Sequence, residues 1–401
     1  MARGRRVLVY SHDSFGLGHL RRCRVVAHTL VEHFPDLSVL ILSGSPIVGS
    51  FEFRARVDFV RIPGVIKLRN GAYTSLALHI DVAETLAIRR AVVRATAEAF
   101  RPDLFLVDKE PTGLRGEVLE TLRALRRRGC RLVLGLRDIM DDPLKLVREW
   151  RRKRAWQVLA ELYDEIWVYG VPEMFDVVAE IPGMRRHAAK IAYVGYLPRR
   201  PPREEGAETP PLPAEPFLLV TTGGGRDGEA LMDWVLAAYE ADPAIPWPAM
   251  LVFGPFMRPE ARRAFAARAA RDPRLSALTF DNRPERLYAR AAGVVAMGGY
   301  NTFCEILSFD RPALIVPRTR PRREQAIRAE RAARLGLVRV LDGEGPRDPA
   351  VMARALHELP HGPRPGARGR ALLSGERRLV ELAAPVLAPA EPRRRAAGGL
   401  A

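Results

Sequence analysis

Lysine is nearly missing from this sequence: five of its 64 basic residues are lysine and the rest are arginine. Cysteine is scarce as well. Cys23, Cys130 and Cys304 stand far apart among 401 residues, which excludes a disulfide framework or a zinc-ligand spacing and suits a reducing compartment. No apolar run approaches the roughly 20 residues of a membrane span. The first run, Val7 to Tyr10, stops at Ser11-His12-Asp13. It falls short of the about 7–15 residues of a signal-peptide core and reads as a buried strand. The expected location is therefore the cytoplasm. Nucleic-acid modules are lacking too: there is no zinc-finger spacing, no aromatic ribonucleoprotein motif and no clear helix-turn-helix.

What is present is enough for two sizeable cores, with 47% hydrophobic residues and 28% charged ones. The formal net charge of +17 admits two readings. One is a solvated basic surface, with an arginine bias of the kind a GC-rich genome produces. The other is contact with anions such as phosphates or, peripherally, an acidic membrane surface.

Short β-rich runs alternate with amphipathic stretches, which predicts parallel sheets covered on both faces. In the first half the strands are 6–10, 38–42, 58–62, 104–107, 131–136, 166–169 and 190–194, with helices over 20–33, 81–100, 115–128 and 144–162. The proline-rich, acidic segment Pro198 to Pro216 breaks the pattern and reads as a linker. A second series follows, with strands 217–221, 250–253, 277–280, 293–297, 313–316 and 338–341. Its helices are 229–239, 259–270, 301–308 and 324–335. The expected organisation is an N-terminal Rossmann-like domain (1–198), a linker (199–216), a C-terminal Rossmann-like domain (217–388) and a disordered tail (389–401). A last helical stretch, 367–386, is a candidate to pack back on the first domain. Two doubly wound units would face each other across a cleft, since ligands bind beyond the carboxyl ends of such strands.

Three strand-to-helix turns carry chemistry. The first contains Gly16-Leu17-Gly18-His19 and lacks the third glycine of a dinucleotide fingerprint, because Arg21 stands there. Its glycines allow close backbone approach, and the following helix aims its N-terminal amides at the cleft. That helix end disfavours an imidazolium, so His19 is either a neutral general base or a helix-start histidine that only hydrogen-bonds. The second turn, Gly223-Gly224-Gly225-Arg226, offers free amides and a guanidinium to a diphosphate, or is simply a flexible turn. The third is Gly298-Gly299-Tyr300-Asn301-Thr302, with Asn301 expected as helix N-cap. Glu305 follows, one place past the N3 position a capping box would use, and is expected in the first turn of that helix. It either complements the dipole or accepts hydrogen bonds from two vicinal hydroxyls, as on a ribose. Farther on, Arg318 belongs to a basic loop suited to phosphate, or else merely solvated, and Glu324 and Gln325 can read sugar hydroxyls. Phe280, ending the strand 277–280, is taken as a further substrate contact. Asp108, ending another strand, is a second candidate base, or else a turn cap or the ion-pair partner of Lys109.

Gly298-Gly299-x-Asn301-Thr302-x-x-Glu305, then Pro312 to Pro317, then Glu324-Gln325, resembles the C-terminal signature of family 28 glycosyltransferases. That family includes the N-acetylglucosaminyl transferase of peptidoglycan synthesis. Gly16-x-Gly18-His19 is similar to its N-terminal glycine loop. The motifs cover about a quarter of the chain. The resemblance implies a GT-B fold, an acceptor on the first domain and a nucleotide-sugar, by family habit UDP-linked, on the second. It implies a hexosyl- or N-acetylhexosaminyltransferase of envelope or polysaccharide synthesis. Glu305 would hold the ribose, Gln325 the donor sugar, and Gly223 to Gly225 the diphosphate. It implies no metal or other cofactor, and the chain has no Asp-x-Asp pair. The chain departs from the family pattern at Glu324, often histidine there, and at Arg328, which replaces an asparagine. Gly18-His19-Leu20-Arg21-Arg22-Cys23 also resembles the loop of a UDP-sugar hydrolase of the same fold. Hydrolase, epimerase and non-catalytic nucleotide-sugar or membrane-surface binder are the competing expectations.

Overall fold

The computed structural model describes residues 4–12, 17–67, 72–201, 213 and 216–388. The strands are β1 (Arg6–Ser11), β2 (Ser38–Ser43), β3 (Val57–Arg61), β4 (Val65–Lys67), β5 (Tyr73–Ser75), β6 (Leu104–Asp108), β7 (Arg131–Arg137), β8 (Glu165–Tyr169) and β9 (Ile191–Tyr193) in the first half. The second half adds β10 (Leu218–Thr221), β11 (Ala249–Val252), β12 (Leu275–Leu278), β13 (Gly293–Ala296), β14 (Ala313–Ile315) and β15 (Arg339–Val340).

They form a seven-stranded sheet, ordered β3-β2-β1-β6-β7-β8-β9, and a six-stranded sheet, ordered β12-β11-β10-β13-β14-β15. Every pairing in both sheets is parallel. Strands such as RVLVYS are buried nearly throughout because helices cover both faces, so apolar runs replace the alternation of a one-sided sheet. In each sheet the strand order reverses beside the first strand, between β1 and β6 and between β10 and β13. The crevice at such a switch point is where the carboxyl ends of neighbouring strands leave room for a ligand.

The antiparallel hairpin of β4 and β5 was not expected. Three residues per strand are too few for a periodic signal. The helix expected over 144–162 is two helices, Pro143–Arg152 and Ala155–Glu161, broken where Arg154 takes φ 52°.

The last helix, Gly375–Leu387, packs on the helix Gly18–His33 of the first unit, sharing one core through Leu379, Ala383 and Leu387. The chain thus crosses twice between the units. The crossings are bonded to each other, Tyr196 N–H to the Leu372 carbonyl at 2.9 Å and Gly375 N–H to the Tyr196 carbonyl at 3.1 Å. Most of the segment expected as a linker, and the tail from Pro389, lie outside the described residues. Arg199, assigned to that linker, is buried and donates to Asn301 Oδ1 at 2.9 Å.

Candidate active site

The two switch points face each other and enclose a cleft of about 400 Å³. On the first unit, β1 runs toward the helix Gly18–His33, whose first turn presents His19 beside the end of β6. Asp108 closes that strand and is 1% exposed. His19 Nδ1 lies 2.5 Å from Asp108 Oδ2, while Arg22 donates to Oδ1 through Nε at 2.9 Å and Nη2 at 2.5 Å. Arg22 Nη2 also lies 3.1 Å from His19 Nδ1. A carboxylate only accepts, so Nδ1 carries the proton and Nε2 is left as the basic nitrogen.

Burial pulls His19 down to about 3, against the opposing pull of Asp108. Burial would raise Asp108, but Arg22 and His19 outweigh it and hold it at about 2. At neutral pH the arrangement is an uncharged imidazole oriented by an ionised carboxylate. The two residues read from the sequence as alternative bases are one hydrogen-bonded pair. Asp108 is bonded to neither Lys109 nor a turn amide. Arg22, which the sequence reading passed over, was detectable: three residues after His19, it shares its helix face.

On the second unit, β10 turns through Gly223 to Gly225 before the helix Glu229–Ala241. Gly223 has φ 65°, and a Cβ there would meet nothing within 4 Å, so the turn is open toward the cleft. Gly225 has φ 92° and packs so closely that a Cβ would sit 2.5 Å from the Phe253 carbonyl oxygen. Glycine is required at both for its backbone, and at Gly225 for space as well.

From β13 the chain passes Gly298 and Gly299 into the helix Tyr300–Phe309. Gly299, not Asn301, is the N-cap. Asn301 lies inside the first turn and bridges the units, donating to the Gly18 carbonyl at 3.1 Å and accepting from Arg199. The expected capping role is therefore replaced by an interdomain one. Glu305 is likewise not in the first turn but a turn farther in. It is 1% exposed and paired with Arg21, whose Nη2 also reaches Glu285 at 3.2 Å. Burial raises the Glu305 carboxyl, with Arg21 pulling the other way.

Arg318 donates to Glu324 Oε1 at 2.7 Å, and its backbone N–H faces Gln325 Oε1 at 3.3 Å. Glu324 Oε2 is buried without a hydrogen-bond partner. The cleft is lined by Gly18, His19, Gly223, Gly224, Gly225, Arg226, Phe280, Gly299, Asn301, Thr302, Glu305, Arg318, Glu324 and Gln325. Asp108 stands behind His19. Gly298 stands behind the helix start, its carbonyl accepting from Arg328 at 2.9 Å. Gly16 lies outside the described residues.

Arginines of one unit meet acids of the other around this cleft. Arg328, 1% exposed, grips Asp138 through Nε at 2.7 Å and Nη2 at 2.6 Å. Arg322 reaches Asp141 and Glu149, and Arg331 reaches Glu180 at 2.6 Å. Part of the arginine excess therefore joins the two units. These partners are more than a hundred residues apart, and no local sequence pattern reveals them. Among the described residues no group of three or more His, Cys, Asp or Glu is arranged to hold a metal ion. No helix of these residues is long and apolar enough to cross a membrane.

No family model and no curated protein matches the chain. Solved structures do. CalG4, the calicheamicin glycosyltransferase, aligns over 97% of this chain and 100% of its own, with TM-score 0.58 and 19% identity. A UDP-glucosyltransferase from Polygonum tinctorium, capable of glucosylating indoxyl, aligns over 97% and 100%, with TM-score 0.64 and 16% identity. The glycosyltransferase VinC, solved in complex with dTDP, aligns over 95% and 98%, with TM-score 0.60 and 17% identity. What the chain shares with these glycosyltransferases is their fold, the two-domain α/β architecture called GT-B.

Proposed function

We propose that this protein is a glycosyltransferase that moves a sugar from a nucleotide-sugar to an acceptor hydroxyl. The observation that carries the reading is the His19–Asp108–Arg22 arrangement facing two glycine turns across one cleft. His19 Nε2 takes the acceptor's proton as its oxygen bonds to the anomeric carbon. Asp108 stabilises the imidazolium that forms, a role that needs a carboxylate already ionised. The bond from the anomeric carbon to the diphosphate breaks, and its electron pair leaves with the nucleoside diphosphate. The Gly224 amide and those at the start of the helix Tyr300–Phe309, with Arg226 and Arg318, meet that developing charge. The turn offers fewer free amides than its sequence suggests, because Gly223 N–H is given to Thr221 Oγ1 and Gly225 N–H to the Thr222 carbonyl. The unpartnered Glu324 oxygen supports a hydrogen bond from a donor-sugar hydroxyl. Glu305 is the candidate for the ribose, sharing its carboxylate with Arg21.

The resemblance to family 28 and the nucleotides in the neighbours' titles make UDP and dTDP the first donors to try. The proposal requires no metal ion. It includes a site of action in the cytoplasm, with or without peripheral membrane contact.

The test is a thermal-shift series with UDP, dTDP and their sugars, followed by a release assay with and without acceptor. A ligand at a hundred times its Kd adds about 2.7 kcal/mol to stability. Release that depends on acceptor is expected. Release by water alone would replace transfer with hydrolysis, and no shift with any nucleotide would end the enzyme reading.

A further inference from the structure

Beside His19 the floor of the first unit carries positive charge that the protein does not neutralise. Lys109 follows Asp108 directly, and among the described residues nothing bonds or pairs with its ammonium. Its backbone sits at φ 66°, a region costly for any residue with a side chain, held by its N–H bond to the Gly135 carbonyl at 2.7 Å. Arg137 closes the neighbouring strand β7. Its Nε is buried without a partner, its Nη2 reaches only the Met140 carbonyl at 3.4 Å, and its link to the cleft acid Glu324 is a loose 4.0 Å. Glu324 Oε1 is already held at 2.7 Å by Arg318. His12, just past the end of β1, has a buried Nδ1 without a partner, and its ring meets the His19 ring edge-on at 5.7 Å.

These residues end or directly follow three adjacent strands, β1, β6 and β7, at the carboxyl edge from which Arg137 joins the cleft lining. The nearby acids are committed elsewhere: Asp108 to Arg22 and His19, Asp138 to Arg328, Asp141 and Glu149 to Arg322. Glu110 is bonded to Lys153 and leaves one oxygen over. A desolvated cation without a counter-charge is costly, and it is tolerable where a ligand supplies that charge.

We propose that the acceptor carries an anionic group, a phosphate or a carboxylate, near its reacting hydroxyl, and that Lys109 and Arg137 bind it with His12 beside them. The inference rests on the transferase reading for the word acceptor. The anion site belongs to the first unit, apart from the glycine turns and Arg226 that face the donor. Burial and the like charges of Arg322 and Arg137 push Lys109 down to about 7, and a bound anion would reverse that shift. Such a site selects acceptors by charge, since a neutral sugar would leave the Lys109 ammonium without a partner and Arg137 with only its long contact to Glu324.

The chain's five lysines make the site observable by side-chain NMR of the full protein, with the donor site filled by UDP. Inorganic phosphate is one probe and glucuronate, a carboxylate, the other. The expected result is a saturable response of the Lys109 signal to at least one probe, with its pKa rising by about one unit or more. Arg137→Gln weakens that binding by about tenfold or more. Affinity for UDP stays unchanged in Arg137→Gln and in Lys109→Gln. A Lys109 signal indifferent to both probes, or a response equal in Arg137→Gln, overturns the proposal. If UDP fails to bind while phosphate still acts on Lys109 through Arg137, the anion site stands and the donor reading falls.

Discussion

Acidification should weaken this fold well before its carboxylates begin to protonate. His19 and His28 are both pushed down to about 3, chiefly by burial, and His12 is driven the same way. At His28 the charges of Arg24 and Arg54 add to burial, and its Nε2 accepts the Arg54 N–H at 3.3 Å. A histidine depressed in the folded state is neutral there, while the unfolded chain gains a proton as pH falls through about 6.5. The stabilisation is therefore whole above that value and is lost progressively toward 3. Between about pH 7.5 and 5.5 each such group removes about 1.4 kcal/mol, so His19 and His28 together remove about 3 kcal/mol. Lys109, pushed down to about 7 from 10.5, removes less than about 1 kcal/mol over the same window. Asp108 and Glu149, both held at about 2, stay ionised in either state and contribute no slope there. Glu305, raised by burial, works in the opposite sense at the acid end. The discriminating variant is His28→Gln, which keeps an acceptor for the Arg54 amide and removes the titration. Its melting temperature should fall less than wild type across the window, by about 2 °C at roughly 1.2 °C per kcal/mol for a chain of this length. Equal falls in the two proteins would refute the argument.

His19→Ala should lower kcat by about 10²–10⁴ while calorimetry shows nucleotide affinity unchanged; a loss confined to KM would remove the histidine from proton transfer. Asp138→Asn leaves Arg328 buried and half-partnered, and should cost about 3–5 kcal/mol in thermal or urea unfolding. A cost within about 0.5 kcal/mol would mean the interdomain pair contributes no net stability. Glu305→Ala should weaken nucleoside-diphosphate binding, measured by calorimetry; equal affinity in the two proteins would remove the ribose assignment.

The strands were legible because they are buried on both faces and bounded by turn residues, and those expected in the two large sheets fall within two residues of their observed bounds. The glycine turns were legible for a related reason, since three consecutive glycines have little purpose outside a special backbone. Reading failed where the cause is distant. Asn301 has the composition of a cap, yet Gly299 takes that place and the asparagine amide turns to Gly18, on another domain. Glu305 was expected near the helix start, and Arg21, from the other end of the sequence, decides its environment. The break at Arg154 has no glycine or proline to announce it. What escaped was mostly the contact between domains, where charge pairs depend on the docked pose.

The return of the last helix to the first domain has a mechanical consequence. The chain leaves the first domain at the same place where it later returns, Tyr196 being tied to Leu372 and Gly375. Gly375 leaves no room there: a Cβ would stand 2.5 Å from the Tyr196 carbonyl oxygen. Such a joint behaves as one short two-ply pivot rather than as a loose tether. It permits a swing about itself and resists sliding or separation of the halves. Cutting the chain in the proline-rich segment would not yield two self-sufficient pieces, because the C-terminal fragment would carry the apolar face of Leu379, Ala383 and Leu387 into water. The first domain, in turn, would lose the roof over Cys23, Val26 and Ala27.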